Sequence, residues 1–307
     1  MVDFSAAVCT YNRALHLDKC LESFSRQTAS SPNFEVIIVD NASTDGTREV
    51  AERWADRDPR FIYTYEPVEG LARARNHALE MAASPFIAFT DDDAVVPDNW
   101  VQSYFQTFSK LPDDVFAIGG EIDPIFEADR PHWLTDELLK PLSARLGWSD
   151  EARMLVSDEW LCEVNIAFRV ELLRQHGGFP EELGRKGDNL LSGENFVNVI
   201  ARSNGFKEYF DPAIRVQHFI PASRLTKTWF RRRYFWQGVT QSKYPNIARQ
   251  KYDQNYPYWQ QIGVPTSTRD WLNLLSDSTS DEEFAGNCFR ISDLGYIIGL
   301  NELISGR

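Results

Sequence analysis

The sequence predicts an α/β protein, with a mixed, mostly parallel sheet flanked by helices and followed by a helical C-terminal extension. Through residue 120, short apolar runs typical of buried strands alternate with amphipathic stretches typical of helices. Beyond residue 221 the pattern is helical alone. Strands that alternate with helices form βαβ units, and such units build parallel sheets.

Polar clusters follow three of the five apolar runs that predict strands in the first 120 residues. Thr10–Arg13 follows the first run, Asp40–Thr47 the second and Asp91–Asp93 the fourth. Ligands of parallel sheets bind beyond the carboxyl ends of the strands, so we expect the functional site where these clusters meet. The predicted strands are residues 6–9, 36–39, 61–63, 86–89 and 115–118.

Helices are predicted between these strands and again after residue 221. The predicted helical segments are 17–24, 50–54, 70–82, Leu225–Gly238, a segment near 268–276 and one near 281–304. Ser280 and Glu283 have the spacing of a capping box at the start of the last helix.

The remaining segments are less regular. Prolines and tryptophans in 121–160 predict loops and short helices that close over the sheet. Residues 161–220 predict a mixed α/β second half, and Pro245–Pro265 is the predicted linker.

The composition limits the functional classes that the chain can serve. It has 307 residues, of which 43% are hydrophobic and 25% charged, as expected of a globular protein with a large core. A formal net charge of -13 argues against nucleic acid as a partner. We expect a cytoplasmic protein, because its four cysteines are scattered and we find neither a signal peptide nor an apolar run of about 18 residues.

Three adjacent carboxylates follow the fourth predicted strand, in Thr90-Asp91-Asp92-Asp93. Carboxylates placed this closely repel one another unless a cation lies among them. Oxygen ligands suit Mg²⁺ or Mn²⁺, and either ion also binds diphosphate oxygens. The alternative is a solvated acidic turn, but the position at a strand end favours a metal site.

A second cluster runs from Asp40 to Thr47. The Asp40 carboxylate is suited to accept a hydrogen bond from a base N–H, for which uracil N3–H is the natural donor. Alternatively, Asp40 and Ser43 only shape the turn and cap the next helix.

Four segments occur in a characteristic order: Val8-Cys9-Thr10-Tyr11-Asn12-Arg13, Val39-Asp40-Asn41-Ala42-Ser43-Thr44-Asp45-Gly46-Thr47, Gly70-Leu71-Ala72-Arg73-Ala74-Arg75-Asn76 and Asp91-Asp92-Asp93. Together they resemble the family 2 glycosyltransferases of the Rossmann-like GT-A fold, which act in bacterial exopolysaccharide and cell-surface glycan assembly. The resemblance implies an inverting transferase that uses a nucleotide-sugar, here expected to be a UDP-sugar, with Mn²⁺ or Mg²⁺.

The resemblance also implies a division of the chain and roles for residues. A GT-A domain would occupy 1–240, with a nucleotide-binding half in 1–120 and an acceptor-binding half in 121–240, and a helical extension would occupy 241–307. Thr10, Tyr11 and Arg13 would flank the nucleotide and Asp40 its base. Arg73 or Arg75, with Asn76, would approach the nucleotide. Asp91 and Asp92 would lie near the ribose or sugar, and Asp93 would bind metal.

Two later segments resemble the family's sugar and acceptor cleft. In Cys162-Glu163-Val164-Asn165-Ile166-Ala167-Phe168-Arg169, the polar candidates are Glu163 and Asn165, although Asn165 would equally fit a buried strand. Ser192-Gly193-Glu194-Asn195 stands where the family usually has Gly-Glu-Asp, with the Asp as general base. Because Asn195 cannot accept a proton, we expect Glu194 to be the base and Asn195 to line the cleft. Asp188 is the competing carboxylate.

His218 follows a probable strand, and some enzymes of this fold complete their metal site with a histidine near this position. Imidazole is a reasonable ligand for Mn²⁺ and a poor one for Mg²⁺. A lone histidine is more often structural, so both roles stay open for His218.

Arg231–Arg233 lies in a basic, aromatic segment of an otherwise acidic chain. It predicts peripheral contact with the inner face of the membrane, where a lipid-linked acceptor would lie, or binding of a diphosphate. The alternative is a core-facing aromatic helix with a solvated arginine face.

The predicted reaction is attack of an acceptor hydroxyl, on a glycan or a lipid-linked sugar, at the anomeric carbon of the donor. Two alternatives keep the same site: a retaining transferase and a non-catalytic nucleotide-sugar or glycan-binding scaffold. A nucleotidyltransferase is disfavoured, because Thr10–Arg13 lacks the glycines that cradle a triphosphate.

Overall fold

The computed structural model describes residues 2–28, 32–156, 159–185, 189–191, 193–252, 267–277 and 280–305. These residues form two compact units. Unit one consists of Met1–Ile125, Ser143–Gly184 and Glu194–Phe219, and unit two of Phe126–Leu142, Arg185–Gly193 and Ile220–Arg307. The division at residue 240 that the family resemblance implies stays a prediction.

The described part of the chain contains nine strands in one mixed sheet, in the order β3-β2-β1-β4-β8-β6-β9-β5, with β7 beside β9. Strands β1 to β4 pair in parallel, while β8 is antiparallel to both β4 and β6. The strands are β1 Phe4–Thr10, β2 Phe34–Asp40, β3 Phe61–Tyr65, β4 Phe86–Asp91, β5 Ala94–Val95, β6 Val115–Phe126, β7 Arg153–Met154, β8 Ile166–Arg169 and β9 Lys207–Ile220. The predicted α/β class is confirmed.

The strands β1 and β2 form the centre of the core. Every residue of β2 is buried, and so is every residue of β1 except Cys9. A parallel strand with both faces covered reads as a continuous apolar run, as in Val36–Val39. The first two polar clusters therefore begin where the buried strands end.

The described helices are α1 Ala14–Ser25, α2 Thr47–Arg57, α3 Leu71–Met81, α4 Trp100–Phe108, α5 Val170–Gln175, α6 Glu194–Ser203, α7 Lys227–Tyr252, α8 Thr268–Leu275 and α9 Asp281–Ser305. Short 3₁₀ turns cover Glu137–Leu142, Glu181–Leu183 and Ala222–Arg224. The predicted apolar face of α1 is confirmed, because Leu17, Cys20, Leu21 and Phe24 are all buried. No helix among the described residues is long and apolar enough to cross a membrane.

Two segments that were predicted to be irregular are partly helix or strand in the structure. The linker prediction is wrong for residues 245–252, because α7 continues through Pro245 to Tyr252. Burial of Tyr244, Ile247 and Ala248 offsets the cost of a proline inside a helix. Residues 253–265 of the predicted linker lie outside the described residues. The strand β6 also extends to Phe126, into a segment predicted to be irregular.

In unit two, α7 and α9 pack so closely that only glycine fits at the contact. A Cβ on Gly238 would lie 1.8 Å from the Ser292 carbonyl oxygen, and one on Gly295 would lie 2.0 Å from that of Phe235. The capping box at the start of α9 is confirmed. The Ser280 Oγ accepts from the Glu283 N–H at 3.2 Å, and Glu283 Oε2 accepts from the Ser280 N–H at 3.1 Å.

A buried amide joins several elements of unit one. The Asn165 Oδ1, just before β8, accepts from Trp100 Nε1 and from the Tyr104 hydroxyl, each at 2.9 Å. Its Nδ2 donates to the carbonyls of Glu121 at 3.0 Å and Ile214 at 2.8 Å. All four bonds lie in the dry core, so losing the amide would leave four polar groups without partners.

We expect Asn165→Ala to destabilise the protein by about 3–5 kcal/mol, because orphaned buried polar groups cost more than the hydrogen bonds themselves contribute. Equilibrium urea denaturation measures the loss. The matched control is Asn198→Ala, since Asn198 is equally buried but donates one long bond of 3.4 Å, to the Leu161 carbonyl. Equal losses in the two variants would contradict the role of Asn165 as a structural hub.

Candidate active site

The loops that follow β1 and β2 are tied together at the carboxyl ends of the strands. The Asn12 backbone N–H donates to Ser43 Oγ at 3.0 Å, and Asn12 Oδ1 accepts from the Thr44 N–H at 2.7 Å. Asn12 and Ala42 adopt left-handed backbone conformations, with φ of 54° and 61°. Such conformations persist where surrounding contacts determine them, as these hydrogen bonds do.

Asn41 brings a third loop to the same edge. Its Oδ1 accepts from the Gly70 N–H at 2.8 Å, and its Nδ2 donates to the Val68 carbonyl at 2.8 Å. The start of α3, which carries Arg73 and Arg75, is thereby fixed beside the end of β2. Neither Asn12 nor Asn41 was predicted to have a role, although both lie in the polar clusters that follow β1 and β2.

The predicted carboxylate cluster lies among residues from the β1 loop. The Thr10 hydroxyl donates to Asp92 Oδ2 at 2.7 Å, and Arg13 Nη1 donates to Asp93 Oδ2 at 2.6 Å. Arg13 Nε is 3.8 Å from Asp92 Oδ1. Thr10, Arg13 and the acidic cluster are thus brought together as expected. The Arg13 guanidinium contacts the carboxylates of Asp92 and Asp93.

Burial and the neighbouring Asp93 carboxylate raise the pKa of Asp92 to about 7. Arg13 and the Thr10 hydroxyl act in the opposite direction and do not compensate fully. At neutral pH the Asp92 carboxyl is therefore only partly ionised unless a further cation lies in the cluster. Burial also raises the pKa of the adjacent Cys9 thiol to about 12, so a thiolate nucleophile is not available there at neutral pH.

His218 completes a compact group of ligand atoms with Asp91 and Asp93. One ligand atom from each of the three residues lies within 4.8 Å of the others, and His218 Nε2 is 3.2 Å from Asp93 Oδ1. The ring Nδ1 lies 3.1 Å from the Ser143 carbonyl, which only accepts, so Nδ1 carries a proton. This leaves Nε2 facing the carboxylates, an arrangement typical of metal-binding histidines, whose other nitrogen donates to a carbonyl.

Arg75 is a buried cation on the other side of Asp91. Its Nη2 lies 3.5 Å from Asp91 Oδ1, and its Nη1 donates to Glu163 Oε2. The guanidinium also lies over the Phe179 ring, 5.8 Å from its centroid. Arg75 and the predicted cleft residue Glu163 are thus brought to the acidic cluster.

The site holds more carboxylates than cations among the described residues. Its carboxylates are those of Asp91, Asp92, Asp93 and Glu163, and its guanidinium groups are those of Arg13 and Arg75. When all are ionised, a formal excess of two negative charges remains. A donor set of two carboxylates and one imidazole, with this excess, fits a divalent cation.

Asp40 is fully buried at the end of β2. Its Oδ1 accepts from the Ser43 N–H at 3.0 Å, and its Oδ2 lies 3.4 Å from the Tyr63 hydroxyl. These contacts agree with the interpretation that Asp40 shapes the turn. Binding of a base by Asp40 stays a prediction.

Arg73 and Asn76 have partners within unit one. Arg73 Nη1 donates to Glu181 Oε2 at 2.7 Å. The Asn76 amide binds the backbone of Phe179 twice, accepting from its N–H and donating to its carbonyl, each at 2.8 Å. These contacts occupy both ends of the Asn76 amide. Nucleotide binding by Asn76 and Arg73 stays a prediction.

The remaining predicted residues differ in exposure. Tyr11 is 44% exposed beside the site, whereas Asn165 is engaged in the core. The Asn195 Oδ1 is buried and has no hydrogen-bond partner among the described residues. Glu194 begins α6, but its side chain and all of Asp188 lie outside the described residues, so the predicted base is untested.

In unit two, two members of the Arg231–Arg233 segment are hydrogen-bonded or buried. Arg231 donates to Asp277 Oδ1 at 2.8 Å and to the Ser276 carbonyl at 2.7 Å, and Arg233 is buried. Arg232 is the exposed member of the three. Contact with a membrane stays a prediction.

Relatives of known activity are glycosyltransferases. A glucosyl-dolichyl phosphate glucuronosyltransferase of Haloferax volcanii is 24% identical over 277 residues, which cover 89% of this chain and 87% of that protein. A validoxylamine A glucosyltransferase of Streptomyces hygroscopicus subsp. jinggangensis is 39% identical over 101 residues, which cover 32% of this chain and 24% of that protein.

Solved structures of similar fold come from two further proteins. The mannosyltransferase PcManGT of Pyrobaculum calidifontis, in complex with GDP-Man and Mn²⁺, has a TM-score of 0.57 at 18% identity, over 99% of this chain and 75% of that chain. Residues 1–349 of TarS from S. aureus, in complex with UDP-GlcNAc, have a TM-score of 0.58 at 13% identity, over 100% of this chain and 93% of that chain.

The sequence model of one family covers the parallel half of the sheet and all three polar clusters. It matches residues 5–167, more than half of the chain, and its description is glycosyl transferase family 2. The chain therefore belongs to glycosyl transferase family 2 and is a glycosyltransferase of the GT-A fold.

Proposed function

We propose that this enzyme transfers a sugar from a UDP-sugar to a hydroxyl acceptor, with inversion, at a site that binds a divalent cation. The observation that carries the proposal is the convergence of Asp91, Asp93 and His218 at the carboxyl edge of the parallel strands. Nucleotide-sugars are bound by proteins of similar fold, as GDP-Man with Mn²⁺ in one and as UDP-GlcNAc in another.

Mn²⁺ is the ion that suits this donor set best. Two carboxylates and one imidazole match its mixed preference, whereas Mg²⁺ prefers oxygen alone. When bound, such an ion neutralises the charge that develops on the leaving diphosphate. Asp91, Asp93 and His218 would hold it, while Arg13 and Arg75 keep the carboxylates in place.

The reaction exchanges one C–O bond for another. The acceptor oxygen forms a bond to the anomeric carbon, the bond from that carbon to the diphosphate oxygen breaks, and the hydroxyl proton passes to a carboxylate. We assign the proton to Glu194, because Asn195 cannot accept it. The enzyme supplies the alignment of the two bound substrates, which lowers the barrier further.

For the acceptor we favour a lipid-linked sugar over a free glycan. The Haloferax relative, which this chain matches over 87% of its length, is named for glucosyl-dolichyl phosphate. Such an acceptor would place the reaction at the inner face of a membrane, in cell-surface glycan or exopolysaccharide assembly. Arg232 is the member of Arg231–Arg233 that is exposed to meet such a surface.

Replacing a proposed metal ligand tests the cation. We expect Asp93→Asn to weaken Mn²⁺-dependent UDP binding more than about 100-fold, since even partners of metal ligands are worth 10- to 100-fold. Calorimetric titration of UDP with Mn²⁺ and with EDTA measures this. Asp113→Asn is the control, because Asp113 is fully exposed. Wild-type affinity for UDP that is the same in Mn²⁺ and in EDTA would sink the metal proposal.

An isosteric change at Asp40 separates base recognition from turn formation. In Asp40→Asn the amide oxygen still accepts from the Ser43 N–H, but the other position no longer accepts from uracil. We expect UDP affinity to fall by about 1.5–3 kcal/mol, or about 10- to 150-fold in Kd. Tyr63→Phe, which removes the other Asp40 contact, should leave UDP affinity unchanged. If Asp40→Asn binds UDP normally, Asp40 is a turn former alone.

The general base is tested by Glu194→Gln. We expect transfer to fall by about 10²- to 10⁴-fold with UDP binding intact, because general base catalysis contributes about that much. Asp188→Asn should lower transfer much less. Proton NMR of the product gives the anomeric configuration. Retention of configuration, or near-normal transfer by Glu194→Gln, would favour a retaining mechanism, and absence of both transfer and donor hydrolysis would favour a non-catalytic scaffold.

A further inference from the structure

Glu121 is a buried carboxylate of β6 whose contacts are with backbone N–H groups. Its Oε1 accepts from the N–H of Ile122 at 2.9 Å and of Leu146 at 2.8 Å. Its Oε2 accepts from the N–H of Gly147 at 2.9 Å. A carboxylate that accepts several backbone N–H bonds is a strong anchor, because hydrogen bonds to an ionised group are about twice as strong as neutral ones.

The loop that Glu121 anchors has an unfavourable backbone. Ser143 and Arg145 adopt φ angles of 56° and 48°, and neither is a glycine. Each left-handed non-glycine residue costs roughly 1–2 kcal/mol, so such a loop persists only when other contacts hold it. The Glu121 bonds and the bond from the Arg145 N–H to the Ile122 carbonyl, 2.8 Å, supply that hold.

The same loop carries the hydrogen-bond acceptor of His218. The Ser143 carbonyl lies 3.1 Å from Nδ1, while Nε2 lies 3.2 Å from Asp93 Oδ1. The backbone of His218 is already fixed, since His218 pairs with Ala94 and the next N–H donates to the Asp93 carbonyl at 3.0 Å. What remains to be set is the rotation of the ring, and the Ser143 carbonyl holds it through Nδ1.

We propose that Glu121 is a positioning residue for His218: it holds loop 143–147 so that the Ser143 carbonyl, bound to Nδ1, keeps Nε2 of the ring directed at Asp91 and Asp93. The inference rests on the proposed metal site and adds a residue that contacts neither the metal nor the substrate. The orientation of a metal-binding histidine depends on the group that accepts a hydrogen bond from its second ring nitrogen. In this protein that group is the Ser143 carbonyl, and the Glu121 carboxylate holds the loop that carries it.

A consequence for metal choice follows. A fixed imidazole nitrogen raises affinity for Mn²⁺ more than for Mg²⁺. Loss of Glu121 should therefore weaken Mn²⁺ binding and reduce the preference for Mn²⁺ over Mg²⁺, whereas loss of a purely structural group would change neither.

Glu35 offers a matched control for a structural role. It is also a buried carboxylate, and its Oε1 accepts from the Ser5 hydroxyl at 2.6 Å and the Ala83 N–H at 2.9 Å. It lies near the start of β2, whereas the site lies beyond the end of that strand. Glu35→Ala should therefore destabilise the protein without altering His218.

The experiment compares wild type, Glu121→Ala, Glu121→Gln and Glu35→Ala by two measurements. In the metal-free protein, ¹⁵N NMR of the histidine rings reports whether Nδ1 of His218 carries a hydrogen-bonded proton, with His218→Gln to assign the signal. Titration with Mn²⁺, followed by electron paramagnetic resonance, gives the affinity. Glu121→Gln keeps the Oε1 acceptor and loses the bond to Gly147. Both measurements can therefore be made on this variant even if Glu121→Ala does not fold.

We expect the Nδ1-protonated signal of wild type to be lost or mixed in the Glu121 variants, with Mn²⁺ affinity about 10- to 100-fold weaker. Glu35→Ala should keep both wild-type values. An unchanged ring signal and Mn²⁺ affinity in the Glu121 variants would overturn the proposal, and so would an equal loss in Glu35→Ala. If wild type binds no Mn²⁺, the proposed metal site fails, while the metal-free ring signals still decide whether Glu121 positions His218.

Discussion

The arrangement of the site depends on uncompensated negative charge at the end of one buried strand. Asp91 ends β4 and Asp92 and Asp93 follow it, and burial and mutual repulsion raise the pKa of Asp92 to about 7. Carboxylates in such a place must be paired, protonated or bound to a cation. Arg13 comes from the β1 loop and Arg75 from α3 to neutralise part of the charge. The contacts that shape the edge of the sheet are thus also those that prepare it for a cation.

The parallel half of the fold and the main polar clusters could be predicted from the sequence. Strands buried on both faces leave continuous apolar runs, and a polar residue directly after such a run lies at the carboxyl edge of the sheet. This logic places Thr10, Arg13 and Asp91–Asp93 together, as the structure does. His218 lies in a distant segment, and its position near the cluster was expected from family resemblance rather than from any local pattern.

The partners of amide side chains could not be predicted, because an asparagine carries no signal for what it binds. Asn165 lies in a segment that resembles the sugar and acceptor cleft, and Asn76 in one expected to approach the nucleotide. The structure gives them partners in Trp100, Tyr104 and the backbone of Phe179. No sequence motif marks the Ser143 carbonyl, since every residue has a backbone carbonyl. The course of α7 past Pro245 depends on burial of its neighbours and not on local propensity.

The site also joins residues that lie far apart along the chain. The bond from Thr10 to Asp92 spans 82 residues, and the contact of His218 with Ser143 spans another 75. Contacts between residues so far apart in sequence form slowly, because the entropy of closing the intervening loops is lost first. During synthesis the three carboxylates emerge well before β9 brings His218 beside them. A nascent chain that ends before β9 therefore lacks the histidine of the proposed cation site, which is complete only with the last strand of the sheet.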